Sequence, residues 1–429
     1  MNTCHKYRDV RVSRPERHQW EWKDVCLDQL LPEDHLARVV WAYVDSLDLS
    51  PLYDSIKVLK HEAGRSAIAP EILVALWLLA TLESISSARE IDRRCTRDLP
   101  FMWLCGGVSL NYHSISDFRK DHTDFLESLL VDSVTTLINQ DLVSLETIAQ
   151  DGMRVRANAG SSSFRRKPTL EQLQQEATAH LDRLKQDSTE SSGQEDASKR
   201  QLAARERAAR ERKARIEEAL RQREELAAKR EKRKKGIGVE TRCSTTDPDA
   251  RRMKMANGGY DPAFNVQFAT TGDSRIVVGV DVTNEGTDGS QMVPMLEQLE
   301  ANYGERPRQI LVDSAYATQA AVKTTEANQI KVVAGIPRTS QLERNGKDPY
   351  SRQRHDSEEY QRFRSRMSQP EYKELYKQRP SIAEFPNAVC RNHGLRQFMV
   401  RGLKNVRAVA LWHAIAFNFR RILNLGVLG

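Results

Sequence analysis

From about residue 26 to 140 apolar residues recur at spacings of three and four, in LARVVWAYVDSL, APEILVALWLLATLES, SAREIDRRCTRDLPFMWLC and SDFRKDHTDFLESLLVDSVTTLINQ. That period predicts packed helices. Pro70 stands where the second would begin, a position at which its missing N–H costs least. Gly106 and Gly107 interrupt the series, and Ser114 with Asp117 three residues later predicts the next helix start. His113, Arg119, Lys120 and His122 cluster near that start. Such charges fit a solvated face, or a recognition helix meeting DNA through Arg119 and Lys120.

The stretch IAQDGMRVRANAG, residues 148–160, breaks the helical period. It reads as a short apolar strand that stops at Asp151 and runs into a basic loop with Gly152, Arg154 and Arg156. From about residue 260 strand patterns return: PAFNVQFATTG and SRIVVGVDVTNEG around Gly272-Asp273, a plausible hairpin turn. GSQMVPMLEQLEANYG predicts a helix, RQILVD a buried strand, ATQAAVKTTEANQ a helix and IKVVAGIP another strand. Strands alternating with helices after an antiparallel start imply a mixed sheet flanked by helices. Residues 340–380 are polar and charged, and SIAEFPNAVCRNHGLRQF and KNVRAVALWHAIAFNFRRILNL predict closing helices.

Between these parts, residues 168–235 read as an insertion. TLEQLQQEATAHLDRLKQ is helical, DSTESSGQEDAS is a linker, and residues 199–235 have the composition of a long exposed helix. That helix holds 16 Lys or Arg against 7 Glu, a net of +9, more than the +7 of the whole chain. Leu202, Ala209 and Ile216 fall seven apart, but Arg223 breaks the series, so a sustained coiled coil is not expected. The arm is either a solvated helix or an arm over a phosphate backbone.

A chain of 429 residues implies more than one core, and 39% hydrophobic residues suffice to build them. The positive charge favours an anionic partner. Six scattered cysteines, with no C-x-x-C pair, argue against a zinc site and read as reduced thiols. The polar, basic N-terminus has no apolar leader segment and no stretch approaches ~18 uninterrupted apolar residues, so the expected location is the cytoplasm, without a membrane partner.

QILVDSAYAT repeats the pattern seen at Asp151: an apolar strand ends at Asp313, followed by small residues and Tyr316. Each Asp alone could be a turn cap. Together, at strand ends in one domain, they could converge, as two Mg²⁺ ions require for phosphodiester displacement. Glu384 is the best candidate for a third acid, although Ser381 and Glu384 also match a capping box. Arg379, Arg391 and Arg396 nearby could hold phosphates.

Four stretches carry a resemblance. They are APEILVALWLLATLESISSAREIDRRCTRDLPFMWLCGG with NYHSISDFRKDH; IAQDGMRVRANAG; DPDARRMK through GYDPAFNVQFATTGDSRIVVGVDVTNEGTDGSQMVPML; and LVDSAY with the run from YKQRPSIAEF to FNFRRI. The sequence resembles a DDE transposase of a bacterial insertion sequence, with an InsH-like helical N-terminal domain. The resemblance implies an all-helical domain over residues 1–140, then a ribonuclease H-like mixed-sheet catalytic domain over 141–429, interrupted by a helical, basic insertion at 160–240: an α+β or α/β chain. It implies catalytic and metal-binding roles for Asp151, Asp313 and Glu384, with Mg²⁺ as cofactor and Mn²⁺ as a possible substitute. Asp313-Ser-Ala-Tyr316 matches the second-acid signature, and Tyr376, Arg379, Glu384 and Arg391 match the third, with one extra residue between Arg379 and Glu384. Arg154, Arg156, Arg119, Lys120, Tyr316, Tyr376, Arg379, Arg391 and Arg396 are the expected DNA contacts. The implied partners are transposon terminal repeats and target DNA, with a homodimer or higher oligomer on DNA near the nucleoid. A nuclease that cuts without joining, or an inactive DNA-binding descendant, are the alternatives.

Overall fold

A computed structural model describes residues 26–56, 66–190 and 196–426. The N-terminal stretch read as lacking a leader, Cys4 and part of the 187–198 linker lie outside the described residues. Helices fill the first part, followed by a six-stranded mixed sheet with flanking helices, an α+β arrangement.

Two of the long helical patterns are divided. Helix Ala88–Arg94 is separated from Leu99–Cys105, with Pro100 in the first turn of the second, and Tyr112–Asp121 is separated from Thr123–Asn139 at His122. The cap of the former recognition-helix candidate is Asn111, not Ser114: its side-chain oxygen accepts from the N–H of His113 and Ser114, both at 3.0 Å. Helix Pro70–Leu82 buries all its residues except Glu71, as its apolar circumference requires.

The strands are β1 (Thr147–Arg156), β2 (Phe164–Arg165), β3 (Cys243–Ser244), β4 (Arg251–Lys254), β5 (Tyr260–Thr271), β6 (Val277–Thr283), β7 (Gln309–Val312) and β8 (Lys331–Ala334). In the main sheet the order runs β4-β5-β1-β7-β8, with β6 also on β5. β5 is antiparallel to β1, β4 and β6, whereas β1–β7 and β7–β8 are parallel. Strand β1 therefore lies where antiparallel pairing gives way to parallel pairing.

Helix Leu403–Asn424 binds the helical part to the sheet. Val406, Leu411, Trp412, Phe417 and Phe419 are buried in a core shared with Leu76, Trp77, Leu130, Phe264 and Val280; each such side chain contributes roughly 1.5–3 kcal/mol. Asn418 completes the tie by accepting from Val277 N at 2.8 Å and donating to Val277 O at 2.7 Å. Arg407 joins Glu127 of helix Thr123–Asn139 to Asp281 of β6, at 2.5 and 2.7 Å.

The insertion is a hairpin of helices Lys167–Glu190 and Asp196–Arg233, seated on the two-stranded β2–β3 ribbon. Small clusters hold it, Leu170–Ala219–Cys243 near the ribbon and Leu181–Leu184–Ala209 farther out. Arg223, the residue that breaks the seven-residue series, is buried and donates to the carbonyls of Gly238, Val239 and Thr241. Among the described residues no helix is long and apolar enough to cross a membrane.

Candidate active site

Asp151 does not end its strand. It is an interior residue of ten-residue β1, opposite Phe268, because β5 continues to pair with β1 as far as Arg156↔Ala263. What stops nearby is the parallel side: β1 and β7 pair through Ala149↔Leu311, and β7 ends at Val312. Two residues farther along that register, Asp151 and Asp313 come level on neighbouring strands. They stand at the carboxyl end of β7, the end of a parallel strand at which ligands commonly bind in open α/β sheets.

Glu384 reaches the same place from the C-terminal segment. Residues Pro380–Glu384 form a π-helical turn between helix Pro370–Lys377 and helix Phe385–Asn392. A π turn absorbs one residue more than an α turn, which accounts for the extra residue between Arg379 and Glu384. Despite it, Arg379 Nη1 lies 3.3 Å from Glu384 Oε1. Ser381 makes no capping box, since its hydroxyl donates to the Gln378 carbonyl at 2.8 Å and the Glu384 carboxylate is taken up by Arg379.

Arg379 ties the acids together. Burial opposes its charge, but Asp151, Tyr376 and Asp313 more than offset this and hold the guanidinium protonated. Burial in turn pushes Asp151 up to about 6, against the pull of Arg379, an Asn387 hydrogen bond at 2.9 Å and the Gly152 N–H; the Glu384 charge adds to the rise. Tyr376 comes close because β8 is followed by glycine: a Cβ at Gly335 would stand 3.3 Å from its hydroxyl.

The donors gathered here are all oxygens, from Asp151, Asp313 and Glu384, with the buried Asn387 Oδ1 making no hydrogen bond. This is a hard-cation set, suited to Mg²⁺ or Mn²⁺ and unsuited to zinc. Among the described residues no three His, Cys, Asp or Glu side chains stand close enough together to hold a metal ion as they are placed. Arg379 supplies the positive charge among the carboxylates.

On the opposite face of β1 lies a polar network. Gln150 Nε2 donates to Gln267 Oε1 at 3.0 Å, Tyr316 donates to the same oxygen at 2.5 Å, and Asn265 and Gln267 donate to Asp288 Oδ1 at 2.7 and 2.9 Å. Gly152 is required beneath it, because a Cβ there would run into Gln267 Nε2 and stand 2.7 Å from Asp288 Oδ1. Gly152→Ala is therefore expected to lower stability by about 1–3 kcal/mol through overpacking, read as a lower urea midpoint with an unchanged m-value.

Several expected DNA contacts are otherwise engaged. Arg154 is paired with Asp288 at 2.9 Å and donates to Gly286 O, so its charge is spent inside the sheet layer. Arg119 is buried against the Trp77 ring, 4.7 Å from its centroid, and donates to Ser86 O at 2.7 Å. Tyr316 is buried in the network, its hydroxyl pushed up by burial. Arg379 is buried among the acids. Arg119, Tyr316 and Arg379 are buried in these contacts, whereas Arg154 keeps part of its side chain at the surface. Lys120 is half-buried and paired with Asp117 and Asp121. Arg156, Arg391 and Arg396 are exposed and adjacent: the Arg156 N–H donates to Arg396 O at 3.1 Å, and Arg396 Nε donates to Arg391 O at 3.0 Å.

Asn387 and Asp288 had not been singled out in the sequence. Asn387 had a readable signal, lying three residues beyond Glu384 on a helical face; Asp288 lies in a loop and had none.

A family model described as "Transposase domain (DUF772)" matches residues 25–121, and one described as "Transposase DDE domain" matches residues 231–419. The second match contains Asp313 and Glu384 but begins after Asp151, so the place of Asp151 rests on the sheet register. No curated protein and no solved structure matches the chain.

Proposed function

Because the chain belongs to the DDE transposases of the insertion-sequence type, we propose that it cuts DNA at the terminal repeats of its own element and joins the freed 3′ ends to target DNA. One observation carries this reading: Asp151 and Asp313 stand level on neighbouring strands, and a π turn brings Glu384 to them through Arg379. We read the sheet as ribonuclease H-like, with its first strand bearing the first acid. The helical part up to residue 140, the catalytic part from 141 and the hairpin within 160–240 are its proposed divisions.

Asp151, Asp313 and Glu384 are the proposed ligands of two Mg²⁺ ions, which when bound supply Lewis-acid activation of water and of the scissile phosphate. The other groups position. Asn387 holds one oxygen of Asp151. Arg379 neutralises the carboxylates until the site is charged with cation, and Tyr376 orients Arg379. Arg156, Arg391 and Arg396 line an exposed rim fit to hold backbone phosphates without reading sequence. Lys120 and the helix around it are proposed to approach DNA beside them, and assembly as a dimer or larger complex on two transposon ends completes the reading.

The test is Glu384→Gln in the full chain, supplied with a labelled terminal-repeat duplex, target plasmid and Mg²⁺. Binding is expected to persist while cutting and joining fall by about 10³-fold, roughly 4 kcal/mol in the barrier. Near-normal joining by this variant would overturn the assignment of Glu384 and move the search to Glu371 and Glu374. Cutting without joining by the unaltered protein would reduce the function to that of a nuclease.

A further inference from the structure

At the root of the helical hairpin, away from the three acids, lies a cleft of about 380 Å³ lined by Arg165, Leu173, Arg212, Arg215, Ile216, Thr245, Thr246 and Arg401. Its four arginines come from separate places in the fold: β2, two successive turns of helix Asp196–Arg233, and the segment just before helix Leu403–Asn424. Among the described residues no carboxylate lines it. Arg215 pairs only loosely, with Glu211 at 3.9 Å; Arg401 feels the charge of the buried Asp247 behind it and spends one donor on the Asn158 carbonyl at 3.2 Å. Like charges brought together in this way repel one another unless an anion comes between them.

We infer that this cleft holds the phosphate backbone of duplex DNA at a second place, remote from the scissile bond. The inference rests on the reading of the chain as a transposase. A polymer fits better than a small anion because the charge continues beyond the cleft. Arg205, exposed and seven residues before Arg212, lies on the same helical face, roughly 10 Å farther along at ~1.5 Å per residue. One phosphate cannot span that distance.

With the DNA laid along β1, the fold sets how far along it this contact falls. Arg401 grips the chain at Asn158, in a bend two residues past the end of β1 at Arg156, so the extended length from Asp151 is an upper limit on the separation. Seven residues at ~3.3 Å each cover roughly 23 Å. A DNA strand advances ~3.4 Å per nucleotide, so the cleft meets the backbone within about six to eight nucleotides of the cut. The hairpin thus acts as a ruler that sets the DNA against the active site, and its basic charge does more than keep a helix in solution.

The test uses the full chain carrying Arg165→Gln, Arg212→Gln and Arg401→Gln together, beside a second protein with Lys at the same positions. Binding of a terminal-repeat duplex is followed against salt, with melting curves showing that each variant is folded. At ~0.9 per phosphate lost, the Gln variant is expected to show a slope of log K against log salt shallower by about 2 to 3, and the Lys variant a slope near that of the unaltered protein. A neutral methylphosphonate linkage moved stepwise out to about six to eight nucleotides from the cut should, at one position, weaken the unaltered protein and leave the Gln variant indifferent. An unchanged slope in the folded Gln variant, or equal losses in the Gln and Lys variants, would overturn the inference. Nicking of plasmid at saturating protein is read in parallel. Loss of the slope difference with nicking intact removes the cleft alone, whereas absence of nicking in the unaltered protein removes the transposase reading and leaves the slope to decide the cleft.

Discussion

Asp151→Asn is expected to lose cleavage by about 10³-fold or more, roughly 4 kcal/mol of barrier, and yet to be more stable than the unaltered protein at neutral pH without divalent ions. Both effects have one origin. Burial lifts the Asp151 carboxyl from 3.8 to about 6. Between those values the folded chain keeps a proton that the unfolded chain has released, so stability falls as pH rises through the window. Above pH 6 the full cost of the buried charge is present, on the order of 3 kcal/mol at 1.36 kcal/mol per unit. The asparagine carries no charge and escapes that cost. Thermal unfolding from pH 4 to 8 should therefore show an advantage for Asp151→Asn that grows from near zero at the acid end and levels off above pH 6. An advantage independent of pH would contradict this origin. A buried carboxylate whose charge the fold disfavours is a candidate for chemistry, as proposed for Asp151 above.

Asp356→Ala should be the most damaging change outside the acids. Asp356 accepts from Gln353 N at 2.8 Å and from Gln319 Nε2 at 2.9 Å, and its Oδ2 lies 2.8 Å from Arg364 Nε, with side chains only 1% and 7% exposed. Arg364 reaches on to the Pro349 carbonyl. Removing one member of a buried pair leaves the other charge without compensation, at a cost of about 3–5 kcal/mol. The pair pins helix Glu358–Ser368 to the loop before it and, through Gln319, to helix Gln319–Ala327, and the chain from β8 to Glu384 passes through the former helix. Urea unfolding should show the loss, and cleavage should fall only in proportion to the folded fraction. A stability within 1 kcal/mol of the parent would mean that the pair is not buried as described.

How much of this was legible follows from which interactions are local. Helical periods, the β5–β6 hairpin around Gly272 and the apolar runs of β7 and β8 are recorded in neighbouring residues, and they read correctly. The extent of β1 did not, because Gly152, Arg154 and Arg156 look like loop residues until β5 and the Asp288 network are seen to accommodate them. Breaks within the long helical stretches depend on His122 and Pro100, where an apolar period continues across a change of direction. Helices Glu358–Ser368 and Pro370–Lys377 were hidden in charged sequence, since only Tyr360, Phe363, Arg364, Met367 and Tyr372 are buried. At the site, both aspartates were visible as acids beside apolar strands. Their coming level depends on parallel register, and the reach of Arg379 to Glu384 depends on a π turn, neither of which a single sequence declares. The contacts that Arg119 and Arg154 make within the fold were hidden for the opposite reason. An arginine looks the same in sequence whether it faces solvent or is spent on a ring, a carbonyl or a buried carboxylate.

The central claim is that Asp151, Asp313 and Glu384 together make a divalent-ion-dependent centre that breaks DNA. It is tested most directly by nicking of supercoiled plasmid with purified full-length protein, comparing the unaltered chain with Asp313→Asn in Mg²⁺ and in EDTA. Asp313 suits this purpose because its side chain accepts the neighbouring Ser314 N–H at 2.6 Å and otherwise acts on the fold through its charge on Arg379, the weakest of the influences on that group. The account predicts nicking by the unaltered protein in Mg²⁺, none in EDTA, and none by a folded Asp313→Asn. Nicking by Asp313→Asn at the rate of the unaltered protein would contradict it.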